Sequence, residues 1–260
     1  MAKYKLFIEY NGGKYKGWQF QKDQKTVQGV LLGVAGTIFK NEKIDIQGSG
    51  RTDAGVHALE QIAHLEVNSD ISPEILTLKF NDLLPFDCTV KKIERTHQRF
   101  HARHSAVKRS YIYQIATRKT SFGKDFVWWI KDELNVELMK NAALAFNGMH
   151  DFASFGAVDK GGEAKSTLVF INDVEVIQKG EMILIRVAGS HFLWKMVRRM
   201  VGVLVECGRG NLSKRKVKKF LEEYSDEPAK LTAPPSGLFL EKIYFEENEP
   251  VPELTPVINL

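Results

Sequence analysis

Lys3 to Gly13 read KYKLFIEYNGG. Tyr4, Leu6, Ile8 and Tyr10 recur at a period of two, which predicts a strand with one buried face, and the Asn-Gly-Gly after it predicts a turn. The elements after that turn set the architecture. In TVQGVLLGVAGTIFK, Thr26 is placed to cap a helix, and Val27, Val30, Leu31, Val34 and Ile38 keep helical spacing despite Gly29, Gly33 and Gly36. Strands are expected at about 43–47 and 60–67, then a helix in SPEILTLKFNDLLP with Ser72 as cap and Pro73 at its first position, then a strand from about 88 to 98. The order is β-α-β-β-α-β.

The remainder repeats that order. KRSYIYQIAT (108–117) alternates as a strand, NVELMKNAALAFNG (135–148) is helical, and TLVFINDVEVIQKGEMILIRVAG predicts a hairpin turning at Lys179–Gly180. HFLWKMVRRMVGVLVECG places Phe192, Leu193, Met196, Val197, Met200, Val201, Leu204 and Val205 on one helical stripe that stops at Gly208. A short basic helix (213–224) and the strand GLFLEKIYF complete it. The fold class expected is α+β: two similar split βαβ halves, each an antiparallel sheet backed by helices. Element order alone carries the duplication. It divides the chain into 1–104 and 105–246, with 247–260 an irregular tail containing Pro250, Pro252 and Pro256.

At 260 residues, 43% apolar and 27% charged, the composition is that of a soluble globular protein of one large domain or two ordinary ones. Cys88 and Cys207 show no CxxC spacing, so they are expected to be inert core thiols in a reducing compartment. MAKYKLFIEY lacks a signal-type apolar region, and no stretch approaches the roughly 18 apolar residues of a membrane span, so the expected location is cytoplasmic. Net charge is +5 and the pI near 9.0. Clusters at Lys214–Lys219, Lys195–Met200 and Arg95–Arg109 point to an anionic partner such as nucleic acid. Lys214–Lys219 reads as a solvated helix face. Arg95, His97, Arg99, His101 and Arg103 fall at period two; if extended, they form either a basic comb along a phosphate backbone or a charged, protective sheet edge.

Gly48 to Ala58 read GSGRTDAGVHA. A dinucleotide fingerprint fails there because the segment runs into a strand, not a helix; a P-loop fails because the only nearby Gly-Lys precedes Tyr15. No HExxH is present, so no metal is expected from the seven histidines. Two residues apart in an extended segment, Arg51 and Asp53 can lie side by side, which keeps the acid ionised and suited to nucleophilic attack. On these features alone a lone Asp in a glycine loop is also a turn former that bonds its own backbone. A glycosidase would need a second acid about 5–10 Å away, and Glu60 is the nearest in sequence. His150–Asp151, which looks like a dyad, reads as a turn-region hydrogen bond.

GRTDAGVHA resembles the signature of the TruA family of tRNA pseudouridine synthases, and GWQFQ (17–21), TVQG (26–29), KRSYIYQI (108–115), NGMHDFASF (147–155), GSHFLWKMVRRMVGVLVECGRG (189–210) and APPSGLFLEKIYF (233–245) resemble family segments in the same order. The resemblance implies two α/β halves with an active cleft between them, no metal or organic cofactor, and a homodimer that isomerises uridines of the tRNA anticodon arm, at positions 38, 39 and 40. It implies that Asp53 is the nucleophile, on C1′ or C6; that Arg51 pairs with it and helps to hold the place of the extruded base; and that Tyr111 stacks on that base and serves as general base. Leu238 is implied to line the pocket and Arg198 to meet substrate. Apart from the resemblance, Gln28, at the start of the first helix, is a candidate for RNA contact, and His57 reads either as a substrate contact or as a structural hydrogen bond. One departure is Val169, where many relatives carry an arginine. Against this stands a non-catalytic tRNA-binding or chaperone protein, which would tolerate the loss of Asp53.

Overall fold

The computed structural model describes residues 1–40, 42–157 and 166–258. They form two compact units, one of Met1–Val107 with Phe239–Glu249, the other of Lys108–Leu238 with Pro250–Leu260. The class is mixed α+β, mostly antiparallel sheet backed by helices.

Unit 1 opens with β1 (Ala2–Tyr10), whose Tyr4, Leu6 and Ile8 are fully buried. Each such aliphatic side chain contributes about 1.5–3 kcal/mol of burial. Helix α1 (Val27–Ile38) starts where Thr26 accepts from the Gly29 amide. Next come β2 (Asp45–Gly48), β3 (His57–Val67), and α2 (Pro73–Leu83), capped by Ser72 through the Ile75 amide. β4 (Cys88–Arg95) ends this run. β1 lies between β3 and β4, antiparallel to both, with Leu6 opposite Ala63 and Ile93. β2 pairs with β3 on the side leading into the glycine loop.

β4 stops at Arg95, short of the expected 98, and the basic comb does not form. Amide bonds from Phe100 to His97 O (3.0 Å) and from Ser105 to His101 O (2.8 Å) turn the chain twice. Phe100 and Ala102 are thereby buried. Burial of those two residues wins over extension.

In unit 2, β5 (Lys108–Ala116) pairs antiparallel with β9 (Met182–Gly189), which pairs with β8 (Leu168–Lys179), which pairs with β7 (Gly148–Asp151); β6 (Trp128–Trp129) adds to β5 in parallel. Lys179 faces Met182, so the hairpin turns at Gly180–Glu181, one residue later than expected, with Gly180 left-handed at φ 57°. α3 (Val136–Ala143) is followed in sequence by α4 (Met196–Gly208), α5 (Lys214–Glu222) and the short α6 (Glu227–Lys230). α4 starts later than the apolar stripe suggested, because Lys195 adopts φ 62° and leaves Phe192 and Leu193 in the preceding loop. Pro250–Leu260 carries no regular element through residue 258, yet Leu254 is buried against Ile112, Ala116, Met182 and Leu184.

β10 (Leu238–Tyr244) leaves the second half: its Phe239 and Leu240 pair in parallel with His57 and Ala58 of β3, which is why Phe239–Glu249 belongs to unit 1. The β-α-β-β-α-β order expected for residues 1–104 thus gains a strand from the far end of the sequence. Both cysteines are free and buried, and burial pushes their thiols up to about 12 (Cys88) and about 11 (Cys207), out of the reactive range. Among the described residues no helix is long and apolar enough to cross a membrane.

Candidate active site

The glycine loop Ser49–Val56 joins β2 to β3, and despite its composition its backbone is fastened along its length. Ser49 N donates to Ile62 O (2.8 Å) and its Oγ to Ala102 O (2.7 Å). Gly50 O accepts from Gln61 Nε2 (2.9 Å). Thr52 is held twice: its hydroxyl pairs with Tyr10 Oη at 2.8 Å, and its carbonyl accepts from Trp18 N at 3.1 Å. Gly55 N donates to Tyr15 O (3.2 Å), and Val56 N closes a turn onto Asp53 O (3.1 Å). Gly55 sits at φ 80°, the left-handed conformation expected of it.

Segment Gly12–Trp18 lies against this loop so closely that side chains are excluded. A Cβ on Gly12 would sit 1.8 Å from Val56 O, and one on Gly17, itself at φ 96°, would sit 2.6 Å from Thr52 O. Thr52 points inward and is buried; Arg51 and Ala54 are exposed, with Asp53 half-buried between them. A carboxylate leaving a backbone fixed on both sides is set for covalent chemistry, because little reorganisation is needed when the reacting group arrives.

Arg51 makes no ion pair among the described residues, so the side-by-side pairing with Asp53 is not formed.

Gln28 and His57 are both buried within unit 1. Gln28 is 8% exposed; its Nε2 donates to Ile46 O (2.7 Å), and its Oε1 accepts from Phe20 N and Gln19 Nε2 (both 2.8 Å). This ties GWQFQ to α1 and β2. His57 is 1% exposed, accepts from Gly12 N at Nδ1 (3.1 Å) and stacks on Phe239 with ring centroids 4.7 Å apart.

In unit 2, Tyr111 lies in β5 opposite Val187, with its ring edge-on to Phe192 at 5.1 Å. Leu238 is 5% exposed at the start of β10. Arg198 Nε donates to Ala233 O (2.7 Å) and its carbonyl accepts from Ala233 N (3.0 Å), so it fastens the APPSG segment ahead of Leu238. Arg199 holds a different loop, donating to Gly156 O at 2.6 Å. Tyr113, beside Tyr111 in sequence, is wholly buried and donates to Pro234 O (2.8 Å). Val169 is fully buried in β8 and presents nothing to a ligand. His150 Nε2 bonds Asn147 O, and Asp151 accepts from Ala153 N; they do not form a dyad with each other.

Among the described residues Asp45, His64 and Glu66 bring three ligand-type atoms within 4.8 Å of one another. They do not fit a metal. Ala102 N donates to His64 Nδ1 (3.1 Å), so the neutral ring carries its proton on Nε2, the nitrogen nearest Asp45 (3.6 Å), while Lys3 already occupies Glu66 at 2.5 Å.

Sequence reasoning missed the residues that hold the loop: Tyr10, Tyr15, Trp18 and Gln61. Trp18 lay inside a recognisable block, but nothing in local periodicity marks a tyrosine as a brace for a loop tens of residues away.

Comparison with known proteins gives one answer. A family profile described as tRNA pseudouridine synthase matches residues 6–105 and 142–246. The chain is 36% identical over 244 residues to a tRNA pseudouridine synthase A from Ehrlichia chaffeensis, covering 93% of this chain and 99% of that protein. It is 41% identical to one from Thermosipho melanesiensis and 38% to one from Ruminiclostridium cellulolyticum, each over 248 residues, 94% of this chain and 100% of theirs.

Proposed function

The chain belongs to the tRNA pseudouridine synthase family and isomerises uridine to pseudouridine in tRNA, and from that premise we propose that Asp53 is the nucleophile of the reaction. The observation that carries this reading is the loop itself, which presents one half-buried carboxylate from a backbone bound at Ser49, Gly50, Thr52 and Gly55.

The reaction breaks the C1′–N1 bond, turns the uracil and joins C1′ to C5; C5 loses a proton and N1 gains one, so the product is an isomer. A carboxylate that adds to C1′ or to C6 keeps the intermediate covalent during the turn. The base must leave the helix stack first. In this reading Arg51, exposed and outside any ion pair among the described residues, fills the space left by the base or meets phosphate. Tyr111 gives the extruded uracil an aromatic face and takes the C5 proton. Leu238 lines the base pocket, and Arg198 serves by holding Ala233 and the segment that leads to Leu238.

The substrate region is the anticodon arm, positions 38 to 40, and the working form is a cytoplasmic homodimer; the family resemblance supports these, and the net charge of +5 supports the RNA partner. The test is pseudouridine formation in an unmodified tRNA transcript. Asp53→Ala is expected to bind tRNA as the native protein does and to lose about four orders of magnitude in rate. A variant that still converts uridine would remove Asp53 from this role. Native protein that binds tRNA but converts no uridine would leave a binding module.

A further inference from the structure

Tyr15, Lys25 and Asp87 form a cluster in unit 1 that the chemistry above does not use. Tyr15 is 2% exposed and Asp87 6%. The Tyr15 hydroxyl donates to Asp87 Oδ1 at 2.5 Å, Lys25 Nζ lies 3.1 Å from Oδ2, and the same ammonium sits 4.4 Å from the centre of the Tyr15 ring. Burial alone would raise the Asp87 carboxyl; the Tyr15 hydroxyl and the Lys25 ammonium outweigh it and hold the group below the usual carboxylate range. Burial and the bond to Asp87 push the Tyr15 phenol far up, so the hydroxyl stays a donor. A charge so withdrawn from water persists only with such partners.

The cluster is joined to the Asp53 loop by main-chain bonds. Asp87 O accepts from Asn11 N (3.0 Å), Gly12 O accepts from Tyr15 N (2.9 Å), and Tyr15 O accepts from Gly55 N (3.2 Å). Gly12 N reaches His57 Nδ1, and Trp18 N reaches Thr52 O. Lys25 holds the far end, its carbonyl accepting from Lys16 N at 2.8 Å. The segment Asn11–Trp18 is thus fixed to Asp87 on one side and, on the other, to residues on both sides of Asp53.

We propose that Asp87, acting through Tyr15, is a positioning residue that sets where the Asp53 carboxylate stands. The inference rests on Asp53 being the nucleophile. Asp87 touches no substrate; removing its charge weakens its hold on the Tyr15 hydroxyl and on Lys25 and lets the Gly55 side of the loop drift, and displacement of a reacting group by about 1 Å costs about a hundredfold in rate. A brace needed only for folding would instead lower stability and leave the rate per folded molecule as it was.

The experiment compares native protein, Asp87→Asn, Tyr15→Phe, the double variant and Asp53→Ala, measuring kcat and KM for pseudouridine formation on tRNA together with the folded fraction. Asp87→Asn and Tyr15→Phe are expected to lose about ten- to a hundredfold in kcat per folded molecule with KM within about twofold. The double variant should be no worse than the poorer single one, since the two act as a unit. If Asp87→Asn does not fold, Tyr15→Phe, which removes one oxygen from a ring that keeps its packing, decides the question. Native kcat per folded molecule in Tyr15→Phe, or in Asp87→Asn where it folds, overturns the inference, whatever happens to stability. Activity surviving in Asp53→Ala is a separate failure, that of the nucleophile reading, and is scored on its own variant.

Discussion

Ser49–Val56 and Thr96–Ser105 are both irregular segments of unit 1, and both are held in place, but by different kinds of partner. The first is fastened by main-chain amides and carbonyls of Tyr15, Trp18 and Ile62, by the Gln61 amide and by hydroxyls. None of those groups titrates near neutral pH. The second has main-chain bonds too, but it also rests on side chains that do: His64 accepts from Ala102 N, and the His101 ring accepts from Arg103 N and sits 4.7 Å from His64 and 4.3 Å from His104. The two meet where Ser49 Oγ donates to Ala102 O. The difference separates their sensitivities: packing errors should disturb the Asp53 loop, and acid should disturb the histidine turn.

Gly12→Ala tests the first half of that contrast and has the largest expected effect. The new Cβ would lie 1.8 Å from Val56 O and 2.5 Å from Val56 C, both backbone atoms that no rotamer can move. Something must shift, and overpacking of this kind costs about 3 kcal/mol or more. The shift is expected at Val56–His57, next to the Asp53 turn, so activity per folded molecule should fall as well. Urea unfolding and single-turnover rates measure the two effects. Native values for both would mean that the loop is looser than the comparison requires.

The same contrast explains how far the residues could be read in advance. β1, α1 and α2 were legible because their periodicity and caps are local: Tyr4, Leu6 and Ile8 at period two, Thr26 and Ser72 at helix starts. The stretch after Arg95 kept a period of two yet folded into turns, because Phe100 and Ala102 found buried partners that an alternation pattern does not register. Asp53 was found by resemblance to a family, not by physics, since a lone acid in a glycine loop is chemically ambiguous. Gln28 and His57 lie in or beside recognisable blocks, which marked them as important without saying that their polar atoms face inward. The parallel pairing of β10 with β3 joins residues about 180 apart, a separation that no local signal spans.

His64 tests the second half. Burial, with His101 and Lys3 nearby, lowers its pKa, against the opposite pull of Asp45 and Glu66. His101 is lowered too, by burial and then by His104 and Lys3. A histidine lowered in the folded state binds fewer protons there than in the unfolded chain, so stability is full at pH 7.5 and is lost as pH falls below the unfolded value of about 6.5. The loss per buried group is at most about 1.4 kcal/mol for each pH unit within that window. Urea unfolding at pH 7.5 and 5.5 should show the native protein losing about 1 kcal/mol more than His64→Gln, whose amide can still accept from Ala102 N. Equal losses would show that the histidine turn is no more acid-sensitive than the loop it touches.

Arg99→Ala carries the smallest effect and decides what became of the basic comb. A comb lying along a phosphate backbone would make each arginine an equal contributor, so that losing one would lower the salt dependence of tRNA binding by about one unit of slope. The turns undo that equivalence. Arg95 is spent on an ion pair with Asp70, and His101 on the amides of Arg103 and His104, while Arg99 is exposed in a turn. Stability should therefore stay within about 0.5 kcal/mol of native. tRNA affinity should change by less than about twofold, with the salt slope altered by well under one unit. Binding titrations across a range of salt concentrations measure both, and a full unit lost on removing Arg99 would mean that this stretch meets the RNA backbone in spite of its turns.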